Sequence, residues 1–206
     1  MHMDFLTIIP ARAGSIRLKH KNKKQLCGKP MISYTIEEAL KSKYLNRIIV
    51  SSDDKEILKL AINLGVEGRL RSDSLSGSNV SSISVIQSIL KQLEMLEGYF
   101  PDNVVLLQPT SPLRLVTDID RTIQRFINNP DCDSALTVRT VDPFNVYVSN
   151  GAVFVSRVRT IKKYSNIRGK YVELLPMPSE RSIDIDTEAD FVMAEYFLKK
   201  RKENHE

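Results

Sequence analysis

Residues 6–30, LTIIPARAGSIRLKHKNKKQLCGKP, carry an apolar run, a basic loop and a proline, in that order. LTIIPA at 6–11 predicts a buried first strand, since a short apolar run bounded by turn-forming residues suits the interior of a parallel sheet. Pro30 then opens a helix expected over 30–42. Its missing N–H and fixed φ fit the first helical position, and Ile32, Ile36 and Leu40 share one face. The window 5–36 has no aspartate or glutamate but holds Arg12, Arg17, Lys19, Lys21, Lys23, Lys24 and Lys29. Of 30 lysines and arginines 7 lie here, leaving 23 to face all 25 acids, so the net charge of +5 is local to this stretch. Cations clustered beside a glycine-containing turn attract a small polyanion such as a triphosphate far more than scattered surface lysines do.

Outward from that unit the strand–helix alternation continues. RIIVSS at 47–52 predicts a second strand. Asp53 or Asp54 can cap a helix at 55–64, whose inner stripe is Ile57, Leu58, Ala61 and Leu64 and whose stop is Gly65. A β segment at 66–71 precedes a serine-rich loop, 71–84. After it comes a helix at 83–97, capped by Ser81 or Ser82, with Ile86, Ile89, Leu90, Leu93 and Leu96 inward and Gly98 at its end. NVVLLQ at 103–108 is the most apolar strand and hence the central one. A helix from Thr117 to 128 turns Ile119, Ile123, Phe126 and Ile127 inward, and SALTVRT at 134–140 returns as a strand. NVYVSNGAVFVSRV reads as a β-hairpin through Ser149, Asn150 and Gly151, because Asn-Gly supports positive φ. Thr187 and Asp190 form a capping pair for a last helix at 188–202. Alternating βα units of this kind predict an α/β fold with a mostly parallel sheet.

A length of 206 residues fits one domain over 1–206. There is no 20-residue apolar span, and FLTII follows Asp4 instead of a basic region, so a soluble cytoplasmic protein with no membrane partner is expected. Cys27 and Cys132 have no metal-like spacing and predict free thiols. With 7 Tyr, 7 Phe and no Trp there are few stacking platforms, so no nucleic-acid partner is expected and a small acidic ligand explains the charge. The C-terminal KKRKENHE reads as a solvated helix end.

Chemistry gathers in three places. After the first strand, Gly14 permits close backbone approach, and Arg12, Ala13, Ser15, Lys21 and Asn22 can line a phosphate concavity, although the loop is neither GxxxxGK[ST] nor GxGxxG. In SIDIDTEAD at 182–190, Asp184 and Asp186 fall on one face of an extended segment. Two converging carboxylates repel each other unless a divalent cation joins them, and Mg²⁺ takes such hard ligands together with substrate phosphate oxygens; a polar strand end before a capped helix would need no metal. QPTSPLR at 108–114 follows the central strand, outside whose carboxyl end ligands bind in open α/β sheets. There Gln108 and Ser111 can hydrogen-bond a polyhydroxylated acceptor and Arg114 can anchor its acid, or the prolines can simply stiffen a loop.

IPARAGS, Lys21-Asn22, GKP at 28–30, VSSDD, RSDSL, SSIS, QPTSPLR, NGAVFV and SIDIDTE in this order resemble the acylneuraminate cytidylyltransferase family, the CMP-sialic acid synthetases, over nearly the whole chain. The resemblance implies a Rossmann-like nucleotide-diphospho-sugar transferase fold with a mostly parallel central sheet flanked by helices and a small β-hairpin appendage. It implies that CTP and an acidic, sialic-acid-like sugar give a CMP-sugar and pyrophosphate. Carried over, Arg12, Ser15, Lys21 and Asn22 would hold the triphosphate, Arg71 and Ser82 would seat the cytidine, Gln108 would touch the sugar, and Asp184 and Asp186 would bind Mg²⁺. Arg12, Lys21 and the two aspartates form the expected catalytic set. Two departures stand out. Ile16 and Arg17 stand where a lysine usually follows Gly-Ser, and TVDPFNVYVS at 140–149 replaces a longer insertion that serves as a homodimer arm. Another acidic acceptor (an octulosonate or a phosphonate) and a non-catalytic nucleotide-binding protein are the competing readings.

Overall fold

The computed structural model describes residues 3–203 apart from positions 16, 142, 144 and 145. Ile16, with the end of the KKRKENHE tail from Asn204 onward, therefore lies outside the described residues. The chain runs β1 (Phe5–Pro10), the short antiparallel pair β2 (Gln25–Leu26) and β3 (Lys29–Pro30), α1 (Met31–Leu40), β4 (Arg47–Ser52), α2 (Lys55–Asn63), β5 (Glu67–Leu70) and α3 (Ser82–Glu97). It continues through β6 (Asn103–Leu106), α4 (Val116–Asn128), β7 (Ser134–Val141), β8 (Val146–Arg157), α5 (Val158–Tyr164), β9 (Val172–Pro176) and α6 (Glu188–Glu203).

Seven strands form one sheet in the order β5-β4-β1-β6-β8-β7-β9. β5, β4, β1 and β6 are mutually parallel, β8 runs antiparallel to both β6 and β7, and β9 is parallel to β7. The apolar β6 is the middle strand, as its composition predicts. Side chains of β1 alternate between two cores. Phe5 and Ile9 pack with Ile36 of α1, Ile57 of α2 and Phe126 of α4, while Leu6 and Ile8 pack with Ile86, Ile89 and Leu93 of α3. A strand covered on both faces must be apolar at both parities, which is why LTII shows no polar alternation. Each such fully buried Ile or Leu contributes roughly 1.5–3 kcal/mol relative to exposure. A third cluster packs α6, through Phe191, Ala194 and Leu198, onto Leu18, Leu26, Met31 and Leu113, so the helix after the acidic motif docks beside the basic loop.

Two predicted helix stripes each include one residue that is not inside. Leu40 and Leu96 are 47% and 73% exposed, while Ala39 of α1 and Val85 of α3 are buried. Asp54, not Asp53, caps α2, its side chain accepting from Glu56 N–H at 2.8 Å. Ser81 caps α3 by accepting from Ser84 N–H, and Gly98 ends it at φ 60°. The larger correction concerns Asn150-Gly151. The expected hairpin turn is absent there, and β8 runs straight through. The pair β7/β8 shifts register between Leu136 and Val138, so that residues 150–153 bulge opposite Thr137, with Gly151 at φ +75°. The positive φ encoded by Asn-Gly serves a bulge as well as it serves a turn. The real hairpin closes between Val141 and Val146, and its strands are part of the main sheet instead of an appendage. α5 and β9 carry too little periodicity to have been anticipated.

Candidate active site

The parallel strands β1, β4, β5 and β6 end on one side of the sheet, and the segments that follow them enclose a cleft of about 490 Å³. Into it come Arg12, Ser15, Arg17, Lys21 and Asn22 from the basic loop, Arg71 after β5, Ser78, Asn79, Val80 and Ser82 around the start of α3, Gln108 to Thr110 after β6, and Asp184 with Asp186. Three sequence motifs separated by more than 60 residues thus meet, as the position of ligand sites in open α/β sheets requires.

The basic loop is held from below. Asn22, 6% exposed, donates from Nδ2 to the Arg12 carbonyl at 3.0 Å. Asp53, freed from capping, accepts from Ala13 N–H at 2.8 Å. That amide is therefore committed to the fold, and Ala13 does not line the cleft. Neither does Gly14, at whose position an added Cβ would meet nothing within 4 Å. Arg12 Nη1 reaches the Gly77 carbonyl at 3.3 Å, bridging the loop to the approach of α3. The seven cations that the sequence pools are divided in space. Arg12, Arg17 and Lys21 face the cleft, whereas Lys23 pairs with Asp54 and Glu56, Lys24 with Glu188 and Lys29 with Glu37. Lys19 is exposed and outside the cleft.

Arg71 is 7% exposed and immobilised on β4, donating to the Ser51 carbonyl at 2.6 Å and to Ser51 Oγ at 3.3 Å. Burial pushes its pKa below the usual arginine value, with nearby Asp53 acting in the opposite direction. Ser82, in the first turn of the 16-residue α3, brings the positive end of the helix to the cleft. Ser78, Asn79 and Val80 beside it belong to a segment that the sequence shows only as a serine-rich loop.

The aspartate segment keeps the alternation expected of extended chain. Ile185 is fully buried and donates its N–H to the Thr110 carbonyl at 2.8 Å, so Asp184 and Asp186 on either side both line the cleft. Burial pushes the Asp184 carboxyl above its usual range, a hydrogen bond from Thr110 opposes this, and the charge of Asp186 adds to it. Lys21 Nζ donates to the Ile185 carbonyl at 2.7 Å and to Asp186 Oδ1 at 3.0 Å, and Arg17 Nη2 donates to Asp186 Oδ2 at 2.9 Å. The β8 bulge supports the same segment, since Asn150 Nδ2 donates to Ser182 Oγ at 3.0 Å. Gly151 leaves room for Gln108. A Cβ on Gly151 would sit 2.4 Å from Gln108 Oε1 and 3.6 Å from Asp184 Oδ2.

Two expected acceptor contacts do not reach the cleft. Arg114 is 1% exposed and donates from Nη1 to the Ala152 carbonyl at 2.6 Å and to the Gln108 carbonyl at 3.2 Å, so it ties the strand-end loop to β8 instead of anchoring an acid. Burial holds its pKa down to about 10. Ser111, also 1% exposed, is packed beneath the same turn. Among the described residues no group of three or more His, Cys, Asp or Glu side chains is placed to hold a metal, and no helix is long and apolar enough to cross a membrane. Both cysteines are free thiols. A lone carboxylate pair beside a cationic cleft suits Mg²⁺, which draws most of its shell from water and phosphate, and does not suit an all-protein cage.

The sequence model of a family described as cytidylyltransferase matches residues 6–205. CMP-N,N'-diacetyllegionaminic acid synthase of Legionella pneumophila is 30% identical over 98% of this chain and 99% of its own length. Pseudaminic acid cytidylyltransferase of Campylobacter jejuni is 38% identical over 62% of this chain and 55% of its own. Among solved structures, a CMP-2-keto-3-deoxy-manno-octonic acid synthetase complexed with CTP superposes with a TM-score of 0.74 at 15% identity, covering 96% of this chain and 99% of that one. At that identity the likeness is one of fold.

Proposed function

The chain belongs to the cytidylyltransferase family, and from that premise we propose that it joins CMP from CTP to the anomeric hydroxyl of a nonulosonic acid, releasing pyrophosphate. The observation that carries this reading is the meeting of Arg12, Arg17 and Lys21 with Asp184 and Asp186 across one cleft. In such a transfer the attacking hydroxyl and the leaving pyrophosphate are in line at the α-phosphorus, and the protein's work is positioning and charge neutralisation, with no protein nucleophile needed. Arg12, Ser15 and Lys21 hold the triphosphate, Arg71 and Ser82 seat the cytidine, and Gln108 contacts the acceptor. Asp184 and Asp186 hold Mg²⁺, which when bound neutralises phosphate charge and orients the reacting oxygens. Legionaminic- and pseudaminic-type acids are the favoured acceptors because the relatives named for them align with the chain.

Pyrophosphate release from CTP with a panel of sialic, legionaminic, pseudaminic and octulosonic acids tests the reading, with ATP, GTP and UTP as controls. Turnover with CTP and one of the first three supports it. Release only with the octulosonate, or with none, overturns it. Asp184→Ala and Asp186→Ala are each expected to lower kcat by about 10²–10⁴ with the fold intact by circular dichroism, since metal-held charge neutralisation is a dominant catalytic contribution. Wild-type-like turnover in both variants would overturn the assignment of Asp184 and Asp186 as the metal ligands.

A further inference from the structure

In the arrangement the structure shows, a metal reaching Asp186 competes with cations already there, because each of its carboxylate oxygens accepts one charge-assisted hydrogen bond. Oδ1 accepts from Lys21 Nζ at 3.0 Å and Oδ2 from Arg17 Nη2 at 2.9 Å. The two cations are held very differently. The Lys21 side chain is 14% exposed and its Nζ is also anchored on the Ile185 carbonyl at 2.7 Å. The Arg17 side chain is 68% exposed, and Asp186 is the partner it has among the described residues. An exposed ion pair with one contact gives way easily, whereas a largely covered lysine with two does not. Arg17 also lines the same cleft as Arg12 and Lys21. Its planar fork suits phosphate oxygens as well as carboxylate.

We propose that Arg17 is an exchanging counterion: it neutralises Asp186 in the empty cleft and passes to the triphosphate when a divalent cation takes the carboxylate. This rests on the nucleotide–metal reading of the cleft given above. Its consequence is coupling. A metal arriving alone must evict Arg17 into solvent, but with CTP in place the displaced guanidinium has phosphate to bind. Each ligand therefore favours the other, by reciprocal linkage. Removing the side chain pushes the two affinities in opposite directions, which a simple phosphate-binding arginine or a simple structural salt bridge would not do.

Titration of the purified protein with Mn²⁺, read by electron paramagnetic resonance, and with CTP, read by calorimetry, tests this in wild type, Arg17→Ala and Arg17→Lys. Lys19→Ala, which loses the same charge two residues away but does not line the cleft, is the control. In Arg17→Ala, Mn²⁺ without nucleotide is expected to bind about 3- to 10-fold more tightly, and CTP about 10-fold or more weakly, the range for one charge-assisted hydrogen bond. Arg17→Lys is expected to fall between wild type and Arg17→Ala, and Lys19→Ala to change neither affinity more than about 2-fold. Unchanged or weaker Mn²⁺ binding in Arg17→Ala overturns the exchange. So do equal Mn²⁺ gains in Lys19→Ala, which would mark a bulk field effect. Wild type that binds neither CTP nor Mn²⁺ overturns the underlying reading of the cleft itself.

Discussion

Gly151 shows how one residue governs a site whose other parts are far away in sequence. Its φ of +75° costs a side-chain-bearing residue roughly 1–2 kcal/mol, and the space above it is filled by the Gln108 amide. Gly151→Ala is therefore expected to lower stability by about that amount and to displace Gln108, raising KM for the acceptor sugar while leaving KM for CTP near wild type. Gln108→Ala is expected to raise acceptor KM without the loss in melting temperature. Steady-state kinetics and thermal melts of the two variants check this pair. If Gly151→Ala raised KM for CTP alone, Gln108 would not be the group it displaces. Arg114 makes the opposite point. Arg-bearing loops at strand ends invite a ligand-binding reading, but this guanidinium is sealed in by Ala152 and Gln108.

At the scale of elements, α4 and the aspartate segment are joined by a single carboxylate. Asp118, 1% exposed, accepts from Leu115 N–H at 3.0 Å to cap α4, and accepts from Arg181 Nε at 3.1 Å and Nη2 at 2.8 Å. Arg181 lies three residues before Asp184, so the cap also fixes the start of the aspartate segment. Asp118→Ala is expected to cost about 2–4 kcal/mol, toward the lower end of broken buried pairs because Arg181 still reaches water. Adding Arg181→Met should restore part of that, and denaturant melts of the double-mutant cycle measure it. Strict additivity would show that the pair is not coupled. None of this is visible in the sequence, where Asp118 is simply an acid in the first turn of a helix. The β1–β6 half was legible because each strand and helix there announces itself by local periodicity and local caps such as Asp54 and Ser81. The β7–β9 half was not, because its structure is set by pairing partners: Asn150-Gly151 looks the same in a turn and in a bulge until Thr137 is opposite it. The site followed the same division. Arg12 and Asp184, picked out by charge and motif, line the cleft, whereas Ser78 and Asn79 line it without a sequence signal and Ser111 and Arg114 do not reach it.

At the scale of the whole molecule, the cleft is where distant parts of the chain are fastened to one another. The loop after β1, the start of α3 and the segment before α6 share it, and the first and last of these are joined by Arg17 and Lys21 on Asp186 and by Lys21 on the Ile185 carbonyl. Bound CTP and Mg²⁺ would replace the Arg17 contact with phosphate and metal bridges between the same segments, so ligand binding and global stability are expected to be tightly linked. A ligand present at 100 times its Kd adds about 2.7 kcal/mol if it binds only the folded state. In a domain of this size that corresponds to a rise of about 5–11 °C in melting temperature. The rise should be larger with CTP and Mg²⁺ together than the sum of the two separately, because each relieves what the other must displace. It should shrink to the metal-independent part in Asp186→Ala, and be small with ATP at the same concentration. Scanning calorimetry decides it. A shift that is the same for CTP and ATP, or that survives unchanged in Asp186→Ala, would mean that the nucleotide sits elsewhere than between these three segments.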